Sequence, residues 1–325
     1  MATNSNRGNV INAQADNLAQ WSTFWNQGFI TTFGSSKPDN YDGVVLQFWR
    51  EKFSELPSGS RILDIAAGNG AIATIAAELG MEKNKNFHVV ATDLAQVHAD
   101  LIGDDKTRGA RSNIEFHSGV PCDRQPFDDD SFDLVTSQFG FEYSNVEKTI
   151  AEVRRVLAPG GRFVAISHHT DSLLIEAAKV ELDIYQLALD ESDLIGGTLR
   201  YFEALSESTG DEAQHISEDV SAKVNALLAS YGDNDCAKFI VGILSFVAKT
   251  AQQTTLEHKR EALQKAGADL QHARARLRDM VEAALDPEQV EQLTIKAYEA
   301  GFESVHCLKL YTEDNGLAGW QIHLR

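Results

Sequence analysis

Cysteine, proline and basic residues are scarce in this chain. Its 325 residues include three cysteines and six prolines, and 29 lysines and arginines face 48 aspartates and glutamates, for a formal net charge of -19. Cys122, Cys236 and Cys307 lie far apart without a CxxC spacing, which argues against disulfides or a zinc site and favours a reducing, cytoplasmic location. The negative charge repels nucleic acid and anionic lipid, so we expect neither as a partner.

Long apolar runs are lacking as well. The longest, Phe239 to Ala248, is too short to cross a bilayer, and the polar N-terminal segment MATNSNRGNVINAQADN lacks the apolar core of a signal peptide. We therefore expect a soluble protein with no membrane partner. A chain of this length can bury a sizeable core, as one large domain or as one domain with an insertion.

The most informative stretch is residues 61–77, RILDIAAGNGAIATIAA. An apolar segment ends in a turn of small residues, and a run rich in Ala and Ile follows, which predicts a strand, a tight turn and a helix. Gly68 and Gly70 would allow backbone conformations closed to other residues and a close approach of a ligand. Because the first amides of the helix have no intrahelical partner, the turn predicts a ligand-binding site.

Two nucleotide-binding patterns fit this turn. Residues 68–73 match the GxGxxA pattern of NAD-binding Rossmann domains. Asp64 favours the alternative, because an acid inside the strand is unusual for a dinucleotide fold, and LDIAAGNG resembles the first motif of class I S-adenosylmethionine (SAM)-dependent methyltransferases. The resemblance implies that the turn, with Ala66, Gly68 and Gly70, approaches the methionine part of SAM and that Asp64 helps to hold its ammonium group.

A second acid follows at a suitable distance. Asp93 ends an apolar segment, 23 residues beyond Gly70, about where α/β nucleotide-binding folds place a carboxylate that accepts hydrogen bonds from both ribose hydroxyls. Leu94 comes directly after it and is a further candidate for the cofactor site. This spacing predicts the ribose end of the same cofactor pocket.

The adenine end departs from the family pattern. A third strand is predicted over residues 113–118, and related methyltransferases often place an Asp just after the glycine that follows. Here Gly119 is followed by Val120. The resemblance then implies that the backbone around Ser118 to Val120 binds adenine, with Asp123 as an alternative.

Residues 126–144, PFDDDSFDLVTSQFGFEYS, resemble the fourth motif of the same family. Ligands of open α/β sheets bind beyond the carboxyl ends of the strands, so residues 137–143 should border the reacting methyl group. Gln138 is expected at the methionine end of the cofactor. Glu142 and Tyr143 are candidates to orient or deprotonate a methyl acceptor.

Two histidines follow the predicted fifth strand. A neutral imidazole accepts protons near physiological pH, which makes His168 and His169 further candidates for a catalytic base. Adjacent residues of a strand point in opposite directions, and no other ligand spacing accompanies them, so we expect no metal site.

These motifs predict an α/β fold with four segments. Residues 1–55 would form an aromatic-rich helical cap, with Trp25, Phe29 and Tyr41 over the pocket, and residues 56–169 the Rossmann-like SAM-binding core. Residues 170–285 would form a helical insertion that acts as a substrate lid, and residues 286–325 a last helix and two strands.

The resemblance implies a doubly wound sheet of seven mostly parallel strands, in which an antiparallel last strand lies between the fifth and the sixth. Within the insertion, leucines recur every seven residues from Leu256 to Leu277. This apolar seam predicts packing onto the domain or, alternatively, a helical arm that pairs two chains as a homodimer.

The resemblance further implies methyl transfer from SAM to a small molecule, with S-adenosylhomocysteine (SAH) as product. The acceptor atom stays open between O, N, S and C, although residues 138–143, QFGFEY, resemble quinone C-methyltransferases. The alternatives are another SAM-using transferase, a non-catalytic SAM-binding scaffold and an NAD-dependent dehydrogenase, of which the last leaves Asp64 unexplained.

Overall fold

The computed structural model describes residues 18–32, 39–97, 105–207, 210–250 and 255–325. Residues 1–17 and 33–38 of the predicted cap lie outside these ranges. The chain divides into two compact units: the first runs to Glu176 and resumes at Asp279, and the second is Ala177–Arg278. The second unit lies within the segment predicted as an insertion.

The first unit is built on a seven-stranded sheet. Its strands are β1 (Arg61–Ile65), β2 (His88–Asp93), β3 (Ile114–Ser118), β4 (Phe132–Gln138), β5 (Leu157–Ser167), β6 (Val305–Tyr311) and β7 (Leu317–Leu324). The order across the sheet is β3-β2-β1-β4-β5-β7-β6. Strands β1 to β5 pair in parallel, and β7 is antiparallel to both of its neighbours. The predicted fold and the predicted place of the last strand are confirmed.

Helices cover both faces of this sheet. They are α1 (residues 18–25), α2 (Gly43–Ser54), α3 (Ala71–Lys83), α4 (Asp105–Arg111), α5 (Val146–Val156) and α11 (Pro287–Glu299), with a 3₁₀ turn at Phe141–Tyr143. Successive residues of a strand point to opposite faces, so Ile62 packs with the α2 and α3 side chains and Leu63 with those of α5 and α11. A strand buried on both faces therefore reads as a continuous apolar run.

The strand order fixes where a ligand can bind. The chain winds from β1 outward to β3 on one side and from β4 outward on the other, so the direction of winding reverses between β1 and β4. The carboxyl ends of these strands are at one edge of the sheet. In open α/β sheets the crevice at such a reversal is where ligands bind.

The second unit is helical and has its own core. It draws on α6 (Leu173–Tyr185), a π-helical segment (Gln186–Glu191), α7 (Leu194–Ser206), α8 (Gly210–Tyr231), α9 (Asp235–Thr250) and α10 (Leu256–Ala283). The predicted leucine seam lies on α10, where Leu263 and Leu270 are buried in the core of this unit. Among the residues that the structure describes, no helix is long and apolar enough to cross a membrane.

Candidate functional site

A cavity of about 990 Å³ lies at the carboxyl ends of the central strands. This volume is at the upper end of the range of roughly 300–1,000 Å³ for small-molecule sites, which leaves room for more than one small ligand. Eight of the predicted site residues line it: Asp64, Ala66, Gly68, Asp93, Leu94, Gln138, Glu142 and Tyr143. Six do not: Gly70, Ser118, Gly119, Val120, His168 and His169.

The glycine turn has the expected backbone but two different surroundings. Gly68 and Gly70 both have positive φ angles, +53° and +78°. A Cβ atom on Gly68 would lie 2.4 Å from the indole ring of Trp25, and one on Gly70 would lie 2.6 Å from the ring of Phe116. Gly70 thus serves close packing below the turn. Gly68 lines the cavity but is covered by Trp25, so a ligand that reaches this backbone must share the space with the indole.

Asn69, between the two glycines, fastens the N-terminal segment to the turn. Its side-chain amide donates hydrogen bonds to the backbone oxygens of Trp25 and Phe29, at 2.9 and 2.8 Å. Its own backbone oxygen accepts a hydrogen bond from the guanidinium of Arg111 at 2.8 Å. Of the three cap residues predicted from sequence, Trp25 and Tyr41 line the cavity, and Phe29 packs behind them on Phe24.

Asp93, at the end of β2, holds the turn from the other side. One oxygen accepts the Gly68 N–H at 2.6 Å and the other accepts the Ala95 N–H at 2.7 Å. Burial raises the pKa of the carboxyl to about 6 in spite of these hydrogen bonds. Each carboxylate oxygen retains a lone pair, so the group can also accept hydrogen bonds from ligand hydroxyls.

Asp64, near the end of β1, is a buried carboxyl between two donors. It accepts the Thr136 hydroxyl at 2.9 Å and the Ala73 N–H at 3.2 Å. Burial raises its pKa to about 7, and the charge of Asp93 adds to the rise. A cation brought close to the two carboxyls would stabilise their ionised forms, so this region fits the positively charged end of a ligand.

Two buried side chains of the cavity wall, Glu142 and Gln138, each have one polar atom without a hydrogen-bond partner among the described residues. Glu142 accepts the backbone N–H of His168 on one oxygen at 2.9 Å, while Gln138 accepts the Trp49 indole N–H at 2.6 Å. The other oxygen of Glu142 and the amide nitrogen of Gln138 have no hydrogen-bond partner among the described residues. Buried polar atoms are normally satisfied, so this pair indicates a ligand that donates to Glu142 and accepts from Gln138.

The Glu142 carboxyl is matched to proton transfer near neutral pH. Only 5% of the residue is exposed, and burial raises its pKa to about 7. Tyr143 follows it in the 3₁₀ turn and lies edge-on to the ring of Trp21, with the ring centroids 5.8 Å apart. The sequence expectation that β4 leads into cavity-lining residues therefore agrees with their placement.

The two histidines are buried but outside the cavity. The His168 ring stacks on Phe139 at 4.3 Å, and burial lowers the pKa of His168 to about 3. The His169 ring stacks on Trp320 at 4.6 Å and accepts the Asp171 N–H on Nδ1 at 3.0 Å. The structure does not bring either imidazole to the cavity. What His168 contributes there is the backbone N–H that holds Glu142.

The segment predicted to bind adenine, residues 118–120, does not line the cavity. The Val120 N–H donates to the backbone oxygen of Asp93 at 3.0 Å, and the Ser118 hydroxyl accepts the Val97 N–H at 3.1 Å. The cavity is lined instead by the residues that follow, among them Cys122 and Asp123. The sequence alternative, Asp123, thus lies at the cavity, whereas residues 118–120 support Asp93 from behind.

Sequence reasoning missed two lining residues from a distant segment, Asp279 and Glu282, which lie near the end of α10. Trp21, on α1, also lines the cavity and belongs to the segment predicted as an aromatic-rich cap. Asp279 accepts a hydrogen bond from the Gln20 side chain at 2.7 Å. Neither Asp279 nor Glu282 belongs to a motif, so no local signal pointed to them. Within the described ranges, no group of three or more His, Cys, Asp or Glu residues is arranged to hold a metal ion.

Comparison with known proteins agrees with this geometry. The family model of a methyltransferase domain matches residues 63–165. A demethylmenaquinone methyltransferase from Clavibacter sepedonicus is 34% identical over 173 residues, which cover 50% of this chain and 64% of the relative. A ubiquinone/menaquinone biosynthesis C-methyltransferase from Geobacter sulfurreducens is 28% identical over 238 residues, 71% of this chain and 83% of the relative.

A solved structure, the PH0226 protein from Pyrococcus horikoshii OT3, is 26% identical and covers 41% of this chain and 56% of its own, with a TM-score of 0.32. The family match over residues 63–165 spans β1 to β5, the strands whose ends carry the cavity. Residues 63–165 therefore match a methyltransferase domain, and over this part the chain is similar to the two methyltransferases named above.

Proposed function

We propose that this protein transfers a methyl group from SAM to a small molecule and releases SAH. The observation that carries the proposal is that the carboxyls of Asp64, Asp93 and Glu142 line one cavity beyond the carboxyl ends of the parallel strands. The match to a methyltransferase domain and the names of the relatives support the same activity.

The cofactor half of the proposal uses the two strand-end acids. Asp93 would accept hydrogen bonds from the ribose hydroxyls, since its oxygens are already fixed by two backbone amides. Asp64 would hold the ammonium group, because a nearby cation relieves the cost of a buried carboxylate. When bound, SAM would supply a methyl group activated by a sulfonium sulfur.

The acceptor half of the proposal uses the end of β4 and the turn after it. Glu142 would take a proton from the methyl acceptor, because its pKa of about 7 lets it accept a proton near neutral pH. The His168 backbone N–H fixes one oxygen and leaves the other for the acceptor. Tyr143 would form the adjoining wall. Most of the rate would come from holding acceptor and donor in line and away from water.

Three other expectations from the sequence remain predictions: the substrate lid, the homodimer and the cytoplasmic location. The assignment of residues 170–285 as a substrate lid stays a prediction. A homodimer formed through this segment also stays a prediction. Leu263 and Leu270, which belong to the leucine seam, are buried in the core of the second unit. A single-chain mass in light scattering would reject the homodimer. We also propose a cytoplasmic location, in keeping with the three free cysteine thiols.

The test is binding followed by turnover. The full chain should bind SAH in calorimetry and, with methyl-labelled SAM and pooled small metabolites, should produce SAH and one labelled product in equal amounts. Lack of SAH binding would refute the proposal. Binding without turnover of any pool would favour the scaffold alternative, and a product other than SAH would favour another SAM-using transferase.

A further inference from the structure

The part of the cavity around Tyr143 is rich in negative charge. The whole cavity is lined by six acids and two bases: Asp64, Asp93, Asp123, Glu142, Asp279 and Glu282, with Arg124 and Lys148. Burial raises the pKa of the Tyr143 hydroxyl well above its ordinary value, and the charges of Glu142 and Asp279 add to the rise. An anionic ligand, such as a carboxylate or a phenolate, would be repelled here.

The same part of the cavity is walled by aromatic rings. Trp21 stacks on Trp25, with centroids 6.2 Å apart and an angle of 24° between the planes, and the edge-on Tyr143 completes the cluster. All three residues line the cavity, as does Tyr41. Aromatic faces next to carboxylates attract ammonium groups, because the face of the ring carries negative charge density.

The unpartnered oxygen of Glu142 adds a directional requirement. It is buried, belongs to a residue that lines the cavity, and lacks a hydrogen-bond partner among the described residues. A carboxylate only accepts hydrogen bonds, so the ligand must present an N–H or O–H group to it. Excess negative charge, aromatic walls and an acceptor-only oxygen are together satisfied best by an ammonium group.

We propose, building on the methyl transfer proposed above, that the methyl acceptor is an amine nitrogen of a small apolar or aromatic molecule that enters the cavity as an ammonium ion. Glu142 takes one proton from the nitrogen, and the freed lone pair forms the new N–CH₃ bond. The S–CH₃ bond breaks at the same time, and its electron pair goes to sulfur, which becomes the neutral thioether of SAH. The product leaves as the methylated ammonium, and the proton on Glu142 passes to solvent.

The experiment compares three probes of similar size on protein saturated with SAH: phenethylamine, phenethyl alcohol and hydrocinnamate. Tryptophan fluorescence reports binding, because Trp21 and Trp25 line the cavity. We expect the amine to bind at least about tenfold more tightly than the alcohol, and hydrocinnamate to bind least, from the combined ion-pair and cation–π attraction.

Two variants assign the selectivity. Glu142→Gln and Asp279→Asn should each lower the affinity for phenethylamine by about tenfold while changing the affinity for the alcohol little, because only the ammonium loses a charge partner. The exposed Asp314→Asn is the matched control and should change neither.

The outcomes separate the two proposals. Tighter binding of the alcohol or of hydrocinnamate, or no binding of the amine to SAH-loaded protein, would overturn the amine acceptor and leave the cofactor proposal standing. Selectivity that survives both variants would overturn it too. If SAH itself does not bind, the proposed function fails first.

Discussion

Replacing Glu142 with Gln should make the protein more stable at alkaline pH. The folded state raises the pKa of this carboxyl from 4.5 to about 7, chiefly through burial. An acid with a raised pKa binds its proton more tightly in the folded state, so its contribution to stability is complete below pH 4.5 and is lost as the pH rises through 7. Glutamine has no such proton, yet its side-chain oxygen can still accept the His168 N–H.

The size of the effect follows from the two pKa values. The rise from 4.5 to about 7 corresponds to about 3 kcal/mol of unfolding free energy between strongly acidic and alkaline pH. The isoelectric point is about 4.9, so solubility favours measurements above pH 5.5. Between pH 5.5 and 8.5 about 2 kcal/mol of the difference remains, because the folded carboxyl is still mostly protonated at the lower limit.

The assay is urea unfolding of the wild type and of Glu142→Gln across this pH range, with the exposed Glu313→Gln as the matched control. The other buried carboxyls, Asp64 and Asp93, are common to all three proteins, so their contributions cancel. We expect the Glu142→Gln curve to rise above the wild type with increasing pH and the control curve to follow the wild type. A pH-independent difference between Glu142→Gln and the wild type would refute a buried, destabilising carboxyl at this position.

Two further predictions concern the cofactor end. Asp93→Ala should weaken SAH binding by about 100-fold in calorimetry, because two hydrogen bonds from ribose to a charged acceptor are lost. The exposed Asp314→Ala should leave the SAH affinity unchanged. Equal SAH affinities of Asp93→Ala and the wild type would show that Asp93 does not bind the ribose. Asn69→Ala should lower the unfolding free energy by about 1–3 kcal/mol in urea, because the part-buried Phe29 oxygen loses the Asn69 amide and the buried Trp25 oxygen keeps only the Gly28 N–H. The exposed Asn113→Ala should lower the unfolding free energy by less than about 0.5 kcal/mol. A similar loss in both variants would contradict the role of Asn69 in fastening the N-terminal segment to the turn.

The sheet and the acids at its strand ends could be predicted from the sequence. Asp64 and Asp93 were predictable because each ends or nearly ends an apolar strand, and parallel strands bring their carboxyl ends to one edge. Glu142 was predictable for the same reason, one turn beyond β4. For all three residues, the local sequence pattern identifies the strand, and the topology of the parallel sheet then determines where the end of that strand lies.

The features that could not be predicted from the sequence depend on contacts that residue spacing does not encode. Gly70 fits a ligand-binding motif, yet its open face is taken up by Phe116. His168 follows a strand as Asp93 does, but its ring stacks on the cavity-lining Phe139 and does not itself line the cavity. Asp279 enters the cavity from a helix whose sequence shows only a leucine repeat. Each outcome was decided by side-chain packing between distant segments.

The way the chain leaves and re-enters the first unit has an evolutionary consequence. Leu285 donates its N–H to the His168 oxygen at 3.0 Å and accepts the Thr170 N–H at 3.3 Å, so the segments that precede and follow the second unit in sequence are hydrogen-bonded to each other within the first unit. The sequence of the second unit, Ala177–Arg278, can therefore be lengthened, shortened or replaced by another module while these hydrogen bonds, the sheet and the cavity-lining Asp279 and Glu282 stay in place.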